Sequence, residues 1–277
     1  MRQAQKKQKL CGADGFDQYY RGIFGERWNA LKTALQGESD YVEWNGGGAE
    51  SYFLDAASVR AALSLPLANA TRILDVCAAP GGKTLVLARA MKSDATLFAN
   101  ERSAGRRNRL LKVCDGCLPG SVRTRVTVTC QDGAKMCRTQ SEAFDAILLD
   151  APCSSERHVL ADPKYLAEWS PSRIKTLAAA QWALLSSAWR MLARGGYLLY
   201  ATCALSSAEN DDVVARLCKR FSDVQVCEPV IASDWHESVL PERKDLPTYE
   251  KTRLGAQILP DTAGGAGPLY FSLLKKA

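Results

Sequence analysis

The sequence predicts an α/β fold: a mostly parallel sheet with helices on both faces. Three observations point there. From residue 72 onward, short apolar runs alternate with stretches of helical period. Several runs, such as Ala146-Ile147-Leu148-Leu149, are continuously apolar, as strands covered on both sides must be. The first run passes through a small, Gly-rich turn into a helix, the usual crossover arrangement of parallel sheets.

Each element follows from its local pattern. Residues 1–10, MRQAQKKQKL, are basic with no apolar stretch behind them, so they read as a solvated tail rather than a signal peptide. Residues 14–36 place Phe16, Tyr20, Ile23, Phe24, Trp28, Leu31 and Leu35 at helical spacing. Asn45 to Gly48 is a turn, and Asp55 to Leu65 a helix stopped by Pro66. Together, 1–68 form a tail and a small helical N-terminal segment, and 69–277 the main domain. Its expected strands are 72–76, 95–100, 122–130, 143–149, 197–201, 224–227 and 269–274. Its expected helices are 82–91, 103–113, 172–192 and 208–221. Residues 231–265 are rich in Pro and charge without a period, and read as a long connection.

Composition narrows the setting. No stretch is long and apolar enough to cross a membrane. The ten cysteines are scattered, which fits a reducing cytoplasm better than a disulfide framework. A net charge of +6 permits nucleic-acid binding without requiring it.

The chemistry concentrates where strands end, because ligands of open α/β sheets sit beyond the carboxyl ends of the strands. Leu74 to Thr84, LDVCAAPGGKT, is such a turn, and Gly81-Gly82 let a ligand approach the backbone. It is not a triphosphate loop: that motif needs a glycine five residues before Gly82, where Cys77 stands. No G-x-G-x-x-G dinucleotide fingerprint is present either. Glu101 ends the second strand and can accept from ribose hydroxyls, while Asp132 follows the third and can reach an adenine amine. Asp132 also suits a simple capping role. An adenosine ligand without polyphosphate fits, and S-adenosylmethionine is the candidate.

Two thiols end neighbouring strands: Cys153 in ILLDAPCSSERH and Cys203 in YLLYATCALS. With strand order 3-2-1-4-5, those strands are adjacent, about 5 Å apart. A thiolate added to carbon-6 of a cytosine makes carbon-5 nucleophilic toward a methyl donor. Asp150 is placed to stabilise the adduct near ring nitrogen-3, and Lys83 to orient the base or offset charge.

DVCAAPGGKT, LLDAPCSS and YATCALS resemble the motifs of the RNA (cytosine-5) methyltransferase family. The resemblance runs through ERSAGRRNRL, where Arg106 matches a family arginine near the cofactor, to GPLYFSLL, covering roughly residues 50–277. It implies a seven-stranded Rossmann-like methyltransferase sheet using S-adenosyl-L-methionine. Cys203 is then the nucleophile, Cys153 the release thiol, and Asp150 and Lys83 their support. Cys77, Ala78, Ala79, Pro80, Gly81, Gly82, Lys83, Glu101, Arg106, Asp132 and Asp150 are then expected around the cofactor. DNA cytosine methyltransferases use the Pro-Cys thiol instead. SSERH departs from the Gly-containing stretch of many relatives, and its Arg-His pair is similar to the organellar ribosomal branch. An rRNA substrate is therefore expected, with tRNA, or a non-catalytic ribosome assembly factor, as alternatives. The expected partner is RNA, with a ribosomal particle or protein presenting it. The chain is expected to be a cytoplasmic monomer, an organelle being the other location.

Other cysteine readings carry less. Cys114-x-x-Cys117 has zinc spacing but lacks two further ligands at suitable positions, so unpaired thiols and no metal are expected. Cys77 reads as packing. A hydrolase built on Cys153 and His158 would have no third member and would leave the Gly-rich turn unexplained.

Overall fold

The computed structural model describes residues 10–229, 231 and 245–277. Nearly all of the basic tail and residues 232–244 of the long connection lie outside that range.

The N-terminal helical stretch is two helices, α1 (Gly12–Phe24) and α2 (Trp28–Gln36), joined by a 3₁₀ turn. Gly25, at φ +58°, takes a positive-φ conformation that side-chain-bearing residues rarely adopt, and α1 ends there. Residues 37–55 add strands to the helical N-terminal segment around the expected Asn45–Gly48 turn. They hold an antiparallel hairpin of β1 (Tyr41–Trp44) and β2 (Tyr52–Asp55), with Val42 opposite Leu54. Both strands are four residues long, and so short an alternation gives little signal beside the glycines of the turn. Asp55 then caps α3 (Ala56–Leu63), its carboxylate accepting from Ala57 N at 2.8 Å.

The main sheet follows the alternation read from the sequence. Its elements are β3 (Arg72–Asp75), α4 (Gly82–Ala90), β4 (Thr96–Asn100), α5 (Ala104–Cys117), α6 (Gly120–Arg123), β5 (Val126–Thr129) and β6 (Phe144–Asp150). Next come α7 (Glu156–Ala161), α8 (Pro163–Ala167), α9 (Pro171–Met191), β7 (Leu192–Thr202), α10 (Asp211–Arg220) and β8 (Val224–Cys227). The chain closes with β9 (Glu250–Lys251), β10 (Ala256–Ile258) and β11 (Leu269–Lys276). The order is β5-β4-β3-β6-β7-β11-β10-β9, with β8 also on β11. Strands β3 to β7 are parallel and β11 is antiparallel to β7.

The expected 3-2-1-4-5 order is therefore present, and among the described residues the sheet has nine strands rather than seven. The extra two, β9 and β10, lie in the stretch read as a connection. They pair only with each other and with the edge of β11, so no long apolar run announced them. The third strand is shorter than 122–130 because Pro119 starts a helical turn over its first residues. Helix α5 is longer than expected and carries Cys114 and Cys117 into the core.

Alternate strand residues feed two apolar layers. Ile73, Leu97 and Leu148 face α3, α4, α5 and the hairpin. Leu74, Ile147 and Leu198 face α9 and α10. A third cluster ties α1 and α2 to α7 and α9 through Phe16, Tyr20, Trp28, Trp169 and Ile174. The chain switches direction across the sheet at β3, whose neighbours are β4 and β6. The turns after β3, β6 and β7 open on that side.

Candidate active site

The parallel register sets Asp150, the last residue of β6, opposite Ala201 of β7. The chain runs on three residues from Asp150 to Cys153 and two from Ala201 to Cys203. Both thiols thus meet, with their sulfurs 2.7 Å apart. Cys203 N also donates to Cys153 Sγ at 3.3 Å. Lys83, on the first turn of α4, reaches across to Asp150, Nζ to Oδ2 2.7 Å. These four side chains line one cleft of about 690 Å³, within the size range of small-molecule sites. An adjoining pocket of about 200 Å³ adds Asp75, Ala78 and Gly82.

The hydrogen bond with Cys203, then burial, then the charge of Cys203 push the Cys153 thiol well above its ordinary range. A thiol raised in this way keeps its S–H, which can donate to Cys203. Burial pulls Lys83 down, yet the Asp150 carboxylate outweighs it and holds the ammonium above its usual value. Lys83 is therefore charged, and Asp150 and Cys203 are among the groups that raise it.

Ser155 touches both thiols, its Oγ 3.1 Å from Cys203 Sγ and 3.6 Å from Cys153 Sγ. Its φ is +55°, a left-handed value that glycine adopts freely and serine does not. The departure from a Gly-containing stretch thus falls where the backbone is strained.

Behind the thiols, two buried carboxyls tie their loops together. Ser154 N donates to Glu209 Oε1 at 2.9 Å, and Leu205 N to Glu156 Oε2 at 3.1 Å. Ser154 Oγ contacts both carboxyls, and Tyr20 of α1 donates to Glu156. One hydroxyl hydrogen cannot serve two carboxylates, so one carboxyl must carry a proton. Burial, then the charge of Glu156, raise Glu209 to about 7. Gln181 of α9 donates to Glu209 and to the Pro152 carbonyl, each at 2.9 Å.

The residues expected around the cofactor divide. Cys77, Ala79, Pro80, Lys83, Arg106 and Asp150 line the large cleft. Arg106 donates to the Ala79 carbonyl at 2.6 Å and pairs with Glu101 at 3.3 Å. Glu101 is nearly buried at the end of β4 and also accepts from Ser103 N at 2.8 Å. Asp132 accepts from Ala134 N at 3.2 Å and pairs with Lys135. Neither acid is among the residues lining the two pockets. Gly81 (φ +128°) and Gly82 are needed by the protein itself. A Cβ on Gly81 would lie 2.8 Å from Val113, and one on Gly82 3.1 Å from the Tyr52 ring. Burial pushes Cys77 well up, as a packed thiol.

Sequence reading missed Asp75, Asn100, Ser155, Glu156 and Glu209. Asp75 had the signal that marked Glu101, an acid ending a strand. It is fully buried, burial raises it to about 7, and its Oδ1 has no partner beside the adjoining pocket. Asn100 donates to the carbonyls of Val76 and Gln131, each at 3.0 Å, fixing the ends of β3 and β5. The glutamates gave no signal, since each looks like a surface residue beginning a helix.

Residues 62–274 match the family model described as 16S rRNA methyltransferase RsmB/F. The chain belongs to this family. It is 37% identical to ribosomal RNA small subunit methyltransferase F of Serratia proteamaculans, over 65% of this chain and 37% of the relative. It is 33% identical to the mitochondrial tRNA (cytosine(34)-C(5))-methyltransferase of Danio rerio, over 81% and 60%. It is 31% identical to the 5-cytosine rRNA methyltransferase NSUN4 of Xenopus tropicalis, over 81% and 56%. The chain thus spans between about a third and two thirds of these relatives' lengths. A methyltransferase homologue from Pyrococcus horikoshii shares the fold, with TM-score 0.68 and 19% identity over 95% of this chain and 94% of that one. NSun6 from the same organism does too, with TM-score 0.65 and 24% identity over 83% and 54%.

Proposed function

We propose that this chain transfers a methyl group from S-adenosyl-L-methionine to carbon-5 of an RNA cytosine. The observation that carries the reading is the pair of sulfurs 2.7 Å apart, beside the Lys83–Asp150 ion pair, on one cleft. A hydrolase needs one thiol and a base, whereas in the mechanism the motif resemblance implies one thiol adds to the pyrimidine and a second assists release.

In this reading, Cys203 adds to carbon-6, and the new C–S bond makes carbon-5 nucleophilic. The Lys83 ammonium favours the thiolate, and the Cys153 S–H holds it. Asp150 Oδ2 is taken by Lys83, which leaves Oδ1 for the nitrogen-3 side of the ring. The carbon-5 proton then passes to solvent in the open cleft while the C–S bond breaks and its electron pair returns to Cys203 as thiolate, with the Cys153 S–H assisting release. A cytosine within paired RNA must first leave its stack.

The cleft fits the cofactor in size and in the unpartnered Asp75 oxygen beside the Cys77–Pro80 turn. That turn and Lys83, Arg106 and Asp150 would hold it, with Glu101 and Asp132 at the adjoining strand ends and Gly81-Gly82 opening α4. When bound, it supplies an electrophilic methyl group.

The substrate proposed is rRNA within a ribosomal particle, tRNA being the second reading because relatives bear both names. The chain is proposed to act as a monomer. Among the described residues no helix is long and apolar enough to cross a membrane. A cytoplasmic location is proposed, with an organelle as the alternative. Radiolabelled methyl transfer into total cellular RNA, followed by bisulfite mapping with and without the protein, tests the reading. Incorporation should fall on one or a few cytosines. No incorporation, with binding intact, would favour an assembly factor instead.

A further inference from the structure

We propose that Tyr41 and Phe53, on the β1–β2 hairpin, form a stacking platform for an unpaired base flanking the target cytosine. This rests on the RNA reading above.

The hairpin has two unlike faces. Directly opposed residues share a face, so Tyr41, Asp55, Glu43 and Phe53 stand together. Val42, Trp44 and Leu54 point the other way, into the core. The Trp44 ring fills the place a Cβ on Gly46 would take, and Tyr52 and Leu54 pack on Gly82 of α4. The hairpin is thus seated on the helix that carries Lys83.

On the open face, both rings are 62% exposed. Their strand positions are diagonal neighbours, about 7–8 Å apart, within reach of one ligand. Single exposed aromatics need no explanation, but placement gives these two one. Tyr41 lines the cleft that holds both thiols, and Phe53 lines the adjoining pocket with Lys83 and Asp150. Among the described residues, the third exposed aromatic is Tyr165. Its ring lies 5.2 Å from that of His158, which lines the same cleft.

The chemistry favours an unpaired nucleic-acid strand over an apolar protein surface. The rings alternate with Glu43 and Asp55, so the face is not a continuous apolar patch. Flat bases stack on isolated Tyr and Phe rings, while their phosphates need cations nearby. Lys83, Arg106 and Arg157 line the cleft beside the hairpin. Of the two acids on the face, Asp55 is turned to Ala57 N and Gly267 N. Extruding a cytosine leaves its neighbour unstacked, and a ring at the rim can replace the lost stack.

The test uses the full chain and two probes: single-stranded oligouridine carrying one cytosine, and the same strand with abasic sites flanking that cytosine. Tyr41→Ala/Phe53→Ala should weaken binding of the first by ~10-fold or more, with unchanged melting temperature. Tyr41→Phe and Phe53→Tyr should keep wild-type affinity. Wild type should lose a similar factor on the abasic strand, and a Phe53→Trp variant should show emission quenched by the first strand only. Equal affinity of wild type for both strands, or of the double alanine variant and wild type for the first, overturns the platform. So does Phe53→Trp emission that follows protein concentration rather than RNA, which would mark a contact between two copies. If wild type neither binds the strand nor methylates total cellular RNA, the RNA reading falls, and the platform with it. Methylation with unaltered binding by the variants rejects the platform alone.

Discussion

At the residue scale, the two thiols are alike in sequence and unlike in place. Cys153 keeps its proton, while Cys203 stands beside the Lys83 charge. Cys153→Ala should therefore trap a covalent protein–RNA adduct on denaturing gels, and Cys203→Ala should give neither adduct nor product. The reverse pattern would assign the DNA-enzyme mechanism. Ser155 offers a finer check. Replacing it by glycine relieves a left-handed serine and should stabilise the fold by ~1 kcal/mol in thermal unfolding. It also removes the hydroxyl 3.1 Å from Cys203 and should slow the thiol's reaction with iodoacetamide or RNA. A variant both more stable and fully active would show that the hydroxyl is idle.

At the scale of elements, two joints hold the site. The first is the turn from β3 into α4. Gly81→Ala places a methyl 2.8 Å from Val113 at a φ of +128°, and should cost ~2 kcal/mol by overpacking and strain. The second is the carboxyl pair between the thiol loops. Glu209 is raised from 4.5 to about 7, so between these values the folded protein holds a proton that the unfolded chain has lost. Stability from this group is complete below pH 4.5 and is lost as pH rises toward 7, with a slope of at most ~1.4 kcal/mol per pH unit. Glu209→Gln should flatten the denaturation midpoint across that window. Part of the slope should remain, because burial raises Asp75 and Glu156 in the same direction. An unchanged slope would show that Glu209 is ionised throughout. The thiol motifs themselves were legible, since strand-end residues announce themselves after an apolar run. The glutamates behind them were not, because their partners lie 2 to 136 residues away along the chain, from Ser154 to Tyr20.

At the scale of the whole molecule, the N-terminal helices belong to the support of the site. Trp28 is fully buried between Phe16 and Tyr20, with ring centroids at 5.8 and 5.2 Å. Tyr20 in turn donates to Glu156 beneath the thiol loops. Trp28→Ala should cost ~3–5 kcal/mol and lower Tm by ~10 °C, and it should reduce adduct formation although no thiol changes. Unfolding of α1 and α2 in a separate, earlier transition would show that they are an appendage.

The sequence by itself determined the alternation of β3 to β7 with their helices, and the placing of chemistry at strand ends. Both are local consequences of apolar period and of where an apolar run stops. Tertiary structure decided the rest. Parallel register brought Cys153 and Cys203 together across 50 residues. Packing against Val113 and Tyr52, more than ligand approach, accounts for the paired glycines. Burial made proton holders of carboxyls that look ordinary in the sequence. The hairpin with its exposed rings formed from strands too short to be read, because its stability comes from the core beneath it. Register, burial and the dielectric around a charge are properties of the assembled chain, and no stretch of sequence carries them alone.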